Sequence, residues 1–254
     1  MKTSKNTVLI TGGTTGIGLA LAEAFLAADN NVIVCARTEA TIKSAKEKFP
    51  KLNAIKCDVA KENQREALYT WAMGEFPDIN ILVNNAGIQK RIDFKNGVSD
   101  LLKARGAEGQ DEIDVNLKAT VYLTALFVPD LMKKKEAAII NVSSGLGFIP
   151  IARMPIYCAT KAAIHSLSLS LRHQLKDTSV KVFELIPPTV DTNLDKGARA
   201  ASAYKDRGIP PAEVAVAMMK SLGEDEYEIT MGQSANLKKG ALTNFDEIFA
   251  RMNH

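Results

Sequence analysis

Cysteine, histidine and long apolar runs are scarce in this sequence, and each shortage argues against a class of protein. The three cysteines (Cys35, Cys57 and Cys158) are an odd number without metal-ligand spacing, and the three histidines do not cluster with them. We therefore expect neither structural disulfides nor a metal site. No apolar run is long enough to cross a membrane, and residues 1–6 are too polar for a signal peptide. We expect a protein of the reducing cytoplasm without membrane insertion.

Neither sign of charge dominates the chain. Lys and Arg total 32 against 29 Asp and Glu, and the densest basic run is residues 133–135 (KKK). Cations complement the dipole at a helix C-terminus, so this run is typical of a solvated helix end. A docking patch for an acidic carrier is the alternative interpretation. No aromatic residues interleave with the basic ones, so we expect no nucleic-acid partner.

Short apolar runs alternate with longer amphipathic segments along the whole chain. The apolar runs are mostly continuous, as expected for strands buried on both faces of a sheet. This alternation predicts an α/β fold with one domain over residues 1–254 and a doubly wound parallel sheet of about seven strands between helices. The predicted strands cover residues 7–10, 31–36, 53–57, 79–83, 137–142, 180–186 and 227–230. The predicted helices cover residues 18–28, 39–49, 62–76, 112–132, 157–176 and 211–222.

Two stretches, residues 89–109 and 189–210, lack a regular pattern, and each follows a predicted strand. In an open α/β sheet, ligands bind outside the carboxyl ends of the strands. Either stretch could therefore form a lid or a pocket wall.

Residues 11–18 (TGGTTGIG) lie between the first predicted strand and the first predicted helix. Glycines permit a tight turn and close backbone approach, and the helix N-terminus then offers amide groups to a pyrophosphate. The spacing differs from the usual Gly-x-Gly-x-x-Gly, and no Gly-Lys-Ser/Thr follows, which excludes a P-loop. The motif predicts nucleotide binding by a Rossmann-type fold.

The end of the second predicted strand indicates which dinucleotide is bound. A carboxylate there would bind the ribose hydroxyls of NAD, but this chain has Ala36 followed by Arg37. An arginine can pair with a 2′-phosphate, so NADP(H) is preferred. NAD(H) is the alternative, with Arg37 then an ordinary loop cation.

Tyr157 and Lys161 are the residues that say most about the reaction. Helix positions four apart share a face, so the phenol and the ammonium can point into one site. A nearby ammonium favours the phenolate and lowers a tyrosine pKa from about 10 towards working pH. The pair therefore predicts a general acid or base. A surface helix with an aromatic and a cation on one side is the alternative.

Together with further motifs, this pair resembles the short-chain dehydrogenase/reductase family along nearly the whole chain. The matching features, in order, are residues 11–18, Asp58, residues 84–87 (NNAG), Asn116, Ser144, Tyr157 and Lys161. The resemblance implies a cofactor half at about residues 1–140 and a catalytic half at about residues 137–254. It also implies hydride transfer between a nicotinamide cofactor and a carbonyl or alcohol substrate.

The resemblance implies a role for each of four catalytic residues. Tyr157 would exchange a proton with the substrate oxygen, and Lys161 would hold the nicotinamide ribose and lower the Tyr157 pKa. Ser144 would hydrogen-bond the substrate oxygen, whereas its neighbour Ser143 would support the turn. Asn116 would anchor a water that relays protons through Lys161. Such a set supplies the donors and the proton that a developing alkoxide needs.

The resemblance further implies a set of cofactor contacts, in which Asp58 would meet the adenine. The expected residues are Gly12, Thr14, Thr15, Gly16, Ile17, Gly18, Arg37, Asp58, Val59, Asn85, Ala86, Gly87, Tyr157, Lys161, Pro187, Val190 and Thr192. Pro188 stands where the family usually has glycine, so this turn should be stiffer. In this proline and in residues 141–150 and 225–237, the chain resembles a bacterial subgroup of the family whose members are often labelled DltE-like oxidoreductases.

The residues between Ser144 and Tyr157 should border the substrate. The expected substrate contacts are Leu146, Phe148, Arg153 and Met154. They are mostly apolar, which suits a hydrophobic carbonyl compound, with Arg153 as an anionic anchor. Packing against the sheet or a partner subunit is the alternative.

The apolar surfaces of the helices at 112–132 and 157–176 could form the face of a homodimer or homotetramer, as is common in this family.

Two other functions share these motifs. A 3-oxoacyl-carrier reductase would use residues 133–135 and Arg172 as a docking surface. A non-enzymatic dinucleotide-binding regulator on the same fold would be expected to lack the tyrosine or the lysine, and both are present here.

Overall fold

Seven parallel strands form one sheet in the order β3-β2-β1-β4-β5-β6-β7. The computed structural model describes residues 1–105, 109–195 and 208–253. The strands are β1 (Thr7–Thr11), β2 (Asn31–Ala36), β3 (Asn53–Lys56), β4 (Ile79–Asn84), β5 (Ala137–Val142), β6 (Val180–Ile186) and β7 (Glu228–Thr230). The order reverses between β1 and β4, and such a reversal opens a crevice at the carboxyl ends of the strands.

Helices cover both faces of this sheet. They are α1 (Gly16–Ala27), α2 (Glu39–Lys48), α3 (Glu62–Glu75), α4 (Val98–Ala104), α5 (Ala119–Leu131), α6 (Pro155–Gln174), α7 (Pro211–Glu224), α8 (Gln233–Thr243) and α9 (Phe245–Met252). Val8 and Ile10 of β1 belong to the core shared with α1 and α7, whereas Leu9 belongs to the core shared with α3 and α5. All three are fully buried, which explains the continuous apolar runs. The predicted α/β fold is confirmed.

The main differences from the predicted elements lie in three places. The predicted helix at 112–132 contains a π-helical turn, Asp114–Lys118, before α5 begins. Helix α4 falls within the stretch expected to be irregular, and α8 and α9 were not predicted. Helix α8 buries only Ser234, Leu237 and Gly240, and a single large apolar side chain does not show as a sequence period.

Parts of both irregular stretches, residues 106–108 and 196–207, lie outside the described residues. Within the described part of the chain, no helix is both long enough and apolar enough to span a membrane.

Candidate functional site

The glycine turn after β1 is held by the segment that follows β4. Gly12 and Gly16 have φ angles of 64° and 55°, in the left-handed region that favours glycine. The side-chain amide of Asn85 donates to the carbonyls of Thr11 (2.9 Å) and Gly12 (3.2 Å). Thr11 Oγ1 in turn accepts from the backbone amides of Asn85 (3.0 Å) and Ala86 (3.1 Å). The two loops therefore form one hydrogen-bonded unit where the strand order reverses.

Side chains are sterically excluded from much of this turn. A Cβ on Gly13 would overlap the Val34 side chain, and a Cβ on Gly18 would overlap the carbonyl oxygen of Gly12. Helix α1 begins at Gly16, and the first amides of a helix have no intrahelical partner. A turn with little side-chain bulk beside unpartnered helix amides fits the pyrophosphate of a dinucleotide.

A cavity of ≈ 410 Å³ lies beside the glycine turn. Most residues predicted to contact the cofactor line it: Gly12, Thr14, Thr15, Gly16, Ile17, Gly18, Arg37, Val59, Asn85, Ala86, Gly87, Tyr157, Lys161, Pro187 and Thr192. Arg37 is exposed directly after β2. The cavity therefore connects the glycine turn with the tyrosine and the lysine of α6.

Two residues predicted to contact the cofactor have other contacts. The carboxylate of Asp58 accepts the backbone amide of Ala60 (3.1 Å), while its neighbours Cys57 and Val59 line the cavity. Val190 is buried and packs into the core shared with α1 and α7. The contact of Asp58 with adenine stays a prediction.

The turn after β6 borders the cavity beside the glycine turn. Pro187 and Thr192 line the cavity, and the Pro187 carbonyl accepts the amide of Gly145 (3.4 Å). A Cβ on Gly16 would lie 3.1 Å from Thr192 Cγ2, so the threonine closely approaches the glycine turn. Pro188 is half-buried within this turn.

Tyr157 and Lys161 lie one turn apart on α6, and both are buried against the cavity. The Lys161 Nζ donates to the Val142 carbonyl (2.8 Å) and lies 5.6 Å from the centroid of the Tyr157 ring. Burial lowers the pKa of Lys161 to about 8, and the negative charge of Glu184 acts in the opposite direction. Both side chains border one cavity, as helix spacing predicts.

The two serines after β5 have different partners within the protein. Ser144 Oγ accepts the Leu146 amide (3.2 Å) and so caps the short 3₁₀ turn Gly145–Gly147. Ser143 was expected to support this turn, and that prediction is wrong. Its amide continues the strand pairing to Leu185 of β6 (2.9 Å), and its hydroxyl donates to Glu184 Oε1 (2.5 Å). Ser143 lines the cavity and Ser144 does not, so the hydrogen bond from Ser144 to a substrate oxygen stays a prediction.

Asn116 lies in the π-turn Asp114–Lys118 and holds the segment after β4. Its side chain accepts the Ile88 amide (2.8 Å) and donates to the Ile88 carbonyl (2.9 Å) and to Thr160 Oγ1 (3.1 Å). Both ends of the side-chain amide are therefore bonded within the protein. The backbone carbonyl of Asn116 accepts the Thr120 hydroxyl at 3.3 Å. A water relay at Asn116 would have to share this carbonyl, and it stays a prediction.

Glu112 is a buried carboxyl group that no sequence motif indicated. It lies one helical turn before Asn116, and its Oε1 accepts the backbone amide of Lys90 (2.9 Å). Burial raises the pKa of Glu112 to about 7. Glu112 thus holds Lys90, and Asn116 holds Ile88, in the segment that follows β4. Gln89 and Lys90 of this segment line the cavity.

A polar row crosses the sheet beneath α6. Asn84, Asn141, Glu184 and Glu228, which we call the polar row, are register partners on β4 to β7. Asn84 donates to Asn141 Oδ1 (2.9 Å), and Asn141 donates to Ser168 Oγ on α6 (3.0 Å). The row therefore places polar groups within an otherwise apolar part of the core.

Of the residues predicted to border the substrate, Leu146 and Met154 form a small core with Tyr157. Phe148 has a different environment, because its ring packs against that of His165 with the centroids 4.6 Å apart. The apolar wall beside the phenol is therefore provided by Leu146 and Met154.

Comparisons with known proteins agree with this geometry. The family model described as short chain dehydrogenase matches residues 6–203. The uncharacterized oxidoreductase DltE of Bacillus subtilis is 50% identical over 253 residues, covering 100% of this chain and 98% of the relative. The NADP-dependent 3-hydroxy acid dehydrogenase YdfG of Escherichia coli is 32% identical over 184 residues, 72% of each chain. The similarity to DltE confirms the predicted subgroup resemblance.

A solved structure also resembles the whole chain. A short-chain dehydrogenase from Sphingobium yanoikuyae in complex with NADPH has 25% identity and a TM-score of 0.78, and 95% of each chain is covered. This chain belongs to the short-chain dehydrogenase family of NAD(P)-dependent oxidoreductases.

Proposed function

We propose that the protein is an NADP(H)-preferring carbonyl reductase or alcohol dehydrogenase with Tyr157 as its general acid and base. The observation that supports this most directly is the shared cavity. Tyr157, Lys161 and the bare glycine turn all line it, so a dinucleotide on the turn can extend to the phenol. The bound nicotinamide would supply or accept the hydride, and the chain would supply the proton.

The chain's own groups support proton transfer at the Tyr157 oxygen. Lys161, whose pKa is lowered to about 8, is mainly an ammonium at pH 7, and an ammonium beside a phenol favours the phenolate. In carbonyl reduction Tyr157 would donate its proton to the developing alkoxide, while Ser144 would stabilise the same oxygen by a hydrogen bond. In alcohol oxidation the two groups would act in reverse. Leu146 and Met154 would exclude water from this point.

The preference for NADP(H) follows from Arg37. The guanidinium lies directly after β2, where a carboxylate would bind the ribose hydroxyls of NAD. Arginine pairs with phosphate through charge-assisted, often bidentate hydrogen bonds. The NADP-dependent activity named for the E. coli relative is consistent with this preference.

A panel of carbonyl and alcohol substrates, assayed with both cofactors, tests the proposal. We expect turnover with NADPH on at least one carbonyl substrate. Tyr157→Phe should lower kcat by a factor of at least about 100, because the proton donor is lost, while NADPH fluorescence titration stays nearly unchanged. A Tyr157→Phe variant with wild-type rates would refute the assigned role.

A substrate with a carboxylate is favoured by the cations around the cavity. Lys90 lines the cavity, and Arg153 is exposed on the segment that leads into α6. The backbone carbonyl of Arg153 accepts the amide of Ile92 (3.2 Å), which brings the two segments together. The E. coli relative is named for 3-hydroxy acids, so we propose this class of substrate. A 3-hydroxy acid should then be oxidised with a lower KM than its methyl ester, and Lys90→Gln should remove the difference.

The alternative of a carrier-linked substrate has less support from the structure. Arg172, one of its expected docking cations, donates to Val182 and Tyr227 carbonyls and pairs with Glu228 (3.3 Å). Lys133 pairs with Asp130 (2.8 Å). These cations are therefore already bound within the chain.

We also propose that the protein is a homo-oligomer, as its helix faces predict. Tyr122 of α5 and Leu169 of α6 are large apolar side chains with 50% and 43% of their surface exposed. Light scattering of the purified protein tests this proposal, and a monomer at micromolar concentration would contradict it.

A further inference from the structure

Glu184 is a carboxyl group with no exposure, located within the polar row. Its Oε1 accepts the Ser143 hydroxyl (2.5 Å), and its Oε2 lies 2.8 Å from His165 Nδ1. An ionised carboxylate only accepts hydrogen bonds, so both neighbours donate, Ser143 through O–H and His165 through Nδ1–H. Burial of a carboxylate is costly where an apolar residue would suffice. A charge buried at this cost is expected to act on a neighbouring group.

The Glu184 cluster adjoins Lys161 on two sides. His165 follows Lys161 by one helical turn on the same face of α6. Ser143 directly follows Val142, whose carbonyl accepts the Lys161 ammonium (2.8 Å). The negative charge of Glu184 raises the pKa of Lys161 and so opposes the effect of burial. The carboxylate and the amine are thus linked both by geometry and by charge.

Within the described part of the chain, Glu184 is the charged group that acts on Lys161. Besides Lys161, helix α6 carries Tyr157 beside the cavity, His165 beside Glu184, and the titratable or charged side chains of Cys158, Arg172 and His173. The π-turn presents the neutral side chain of Asn116. A neutral His165 can donate its Nδ1–H without cancelling the carboxylate charge.

Glu228 is the neighbour of Glu184 in the polar row, but its charge is compensated. It pairs with Arg172 of α6 (3.3 Å) and with Lys238 of α8. These two cations hold the pKa of Glu228 below its ordinary value, against the effect of burial. Glu228 therefore provides a matched control that carries the same charge in the same row.

We propose that Glu184 is a positioning residue, held in place by His165 and Ser143, that keeps the buried Lys161 in its ammonium form. Only its catalytic consequence rests on the proposed function. The ammonium would then be available to bind the nicotinamide ribose and to favour the Tyr157 phenolate. Without the carboxylate, Lys161 would lose its proton at a lower pH. Activity would then fall at the alkaline end of the pH range.

The experiment measures the titration of Lys161 directly. Protein with ¹³C-labelled lysine ε-carbons is followed by NMR against pH, and Lys161→Met assigns the signal. At an effective dielectric of about 20, a unit charge roughly 6 to 10 Å away changes a pKa by roughly one to two units. We expect Glu184→Gln to lower the pKa of Lys161 by about this amount, and Glu228→Gln to leave it unchanged. The ratio of Glu184→Gln to wild-type turnover should also fall as pH rises from 6.5 to 9, by about tenfold.

The outcomes separate this proposal from the proposed function. An unchanged Lys161 pKa in Glu184→Gln, or an equal shift in Glu228→Gln, would overturn it even in an active enzyme. If the wild type has no reductase activity, the NMR titration still decides the role of Glu184. If Glu184→Gln fails to fold, Glu184→Asp withdraws the carboxylate by one methylene and should give a smaller shift in the same direction. A Lys161 pKa that does not move in Glu184→Asp would then overturn the proposal.

Discussion

Glu112 allows the energetic cost of a buried acid beside the cavity to be measured. Its carboxyl group is 2% exposed, and one oxygen accepts the backbone amide of Lys90 at 2.9 Å. Burial is the largest cause of its raised pKa, which the Lys90 amide and charge partly oppose. Glu112→Gln keeps an oxygen for the Lys90 amide and removes the ionisable group. The substitution therefore isolates the charge from the hydrogen bond.

The sign and the size of the effect follow from the pKa of Glu112. The folded protein holds the proton up to about pH 7, whereas the unfolded chain releases it near the ordinary value of 4.5. The stability that this proton provides is complete below pH 4.5 and is lost as pH rises through 7. Over this window the loss amounts to about 3 kcal/mol. Glutamine does not lose this stability, so the free energy of unfolding of Glu112→Gln, relative to that of the wild type, should rise as pH rises.

Urea unfolding of wild type and Glu112→Gln at pH 5 and pH 8 provides the test. The difference in free energy of unfolding between variant and wild type should increase by about 2 kcal/mol from pH 5 to pH 8 in favour of glutamine. The new amide donors carry a cost that is independent of pH, so it cancels in this comparison. Exposed Glu66→Gln is the matched control and should show no such increase. A pH-independent difference for Glu112→Gln would refute the reasoning.

Two further predictions concern the cofactor end. Arg37→Ala should raise the Kd for NADPH by about 10- to 100-fold and that for NADH far less, because one charge-assisted phosphate pair is lost. Fluorescence titration with both cofactors measures this, and equal losses would contradict the 2′-phosphate assignment. Gly13→Ala should lower the free energy of unfolding by about 1–3 kcal/mol through overlap with Val34, and added Val34→Ala should recover part of it. Gly18→Ala overlaps the backbone carbonyl of Gly12, so Val34→Ala should not rescue it, and equal rescue in urea unfolding would contradict the steric explanation.

The sheet was predictable from the sequence because its strands are buried on both faces. Runs such as residues 137–142 (AAIINV) are wholly buried and contain no solvent-facing position that would disguise the strand. Helix α8 was missed because it buries a single large apolar side chain, Leu237. Helix α9 was missed although Phe245, Ile248, Phe249 and Met252 recur at helical spacing, because the pattern spans only eight residues. Short helices depend on tertiary packing, and α9 packs through Met252 against the small core around Tyr157. Local patterns cannot show such support.

The candidate site was predictable where its residues belong to local motifs. The glycine turn and the Tyr157–Lys161 pair each depend on positions fewer than eight residues apart, so spacing alone brings them together. Glu184 is different, because it lies 41 residues from Ser143 and 19 residues from His165. Its signal was a charged residue inside the apolar strand VKVFELI. That signal indicates a buried partner, but only the fold identifies which one.

The polar row also explains why α6 can place Tyr157 and Lys161 accurately. Along this helix, His165 meets Glu184 at 2.8 Å, Ser168 accepts Asn141 at 3.0 Å, and Arg172 pairs with Glu228 at 3.3 Å. Apolar contacts alone would tolerate a small sliding of the helix, because they are not directional. Hydrogen bonds and ion pairs at buried and half-buried positions do not, since sliding would leave several polar groups unpaired, at about 1–3 kcal/mol for each buried one. The row thus fixes the register of α6 against β5 to β7, and with it the positions of Lys161 and Tyr157, which lie one and two turns before His165.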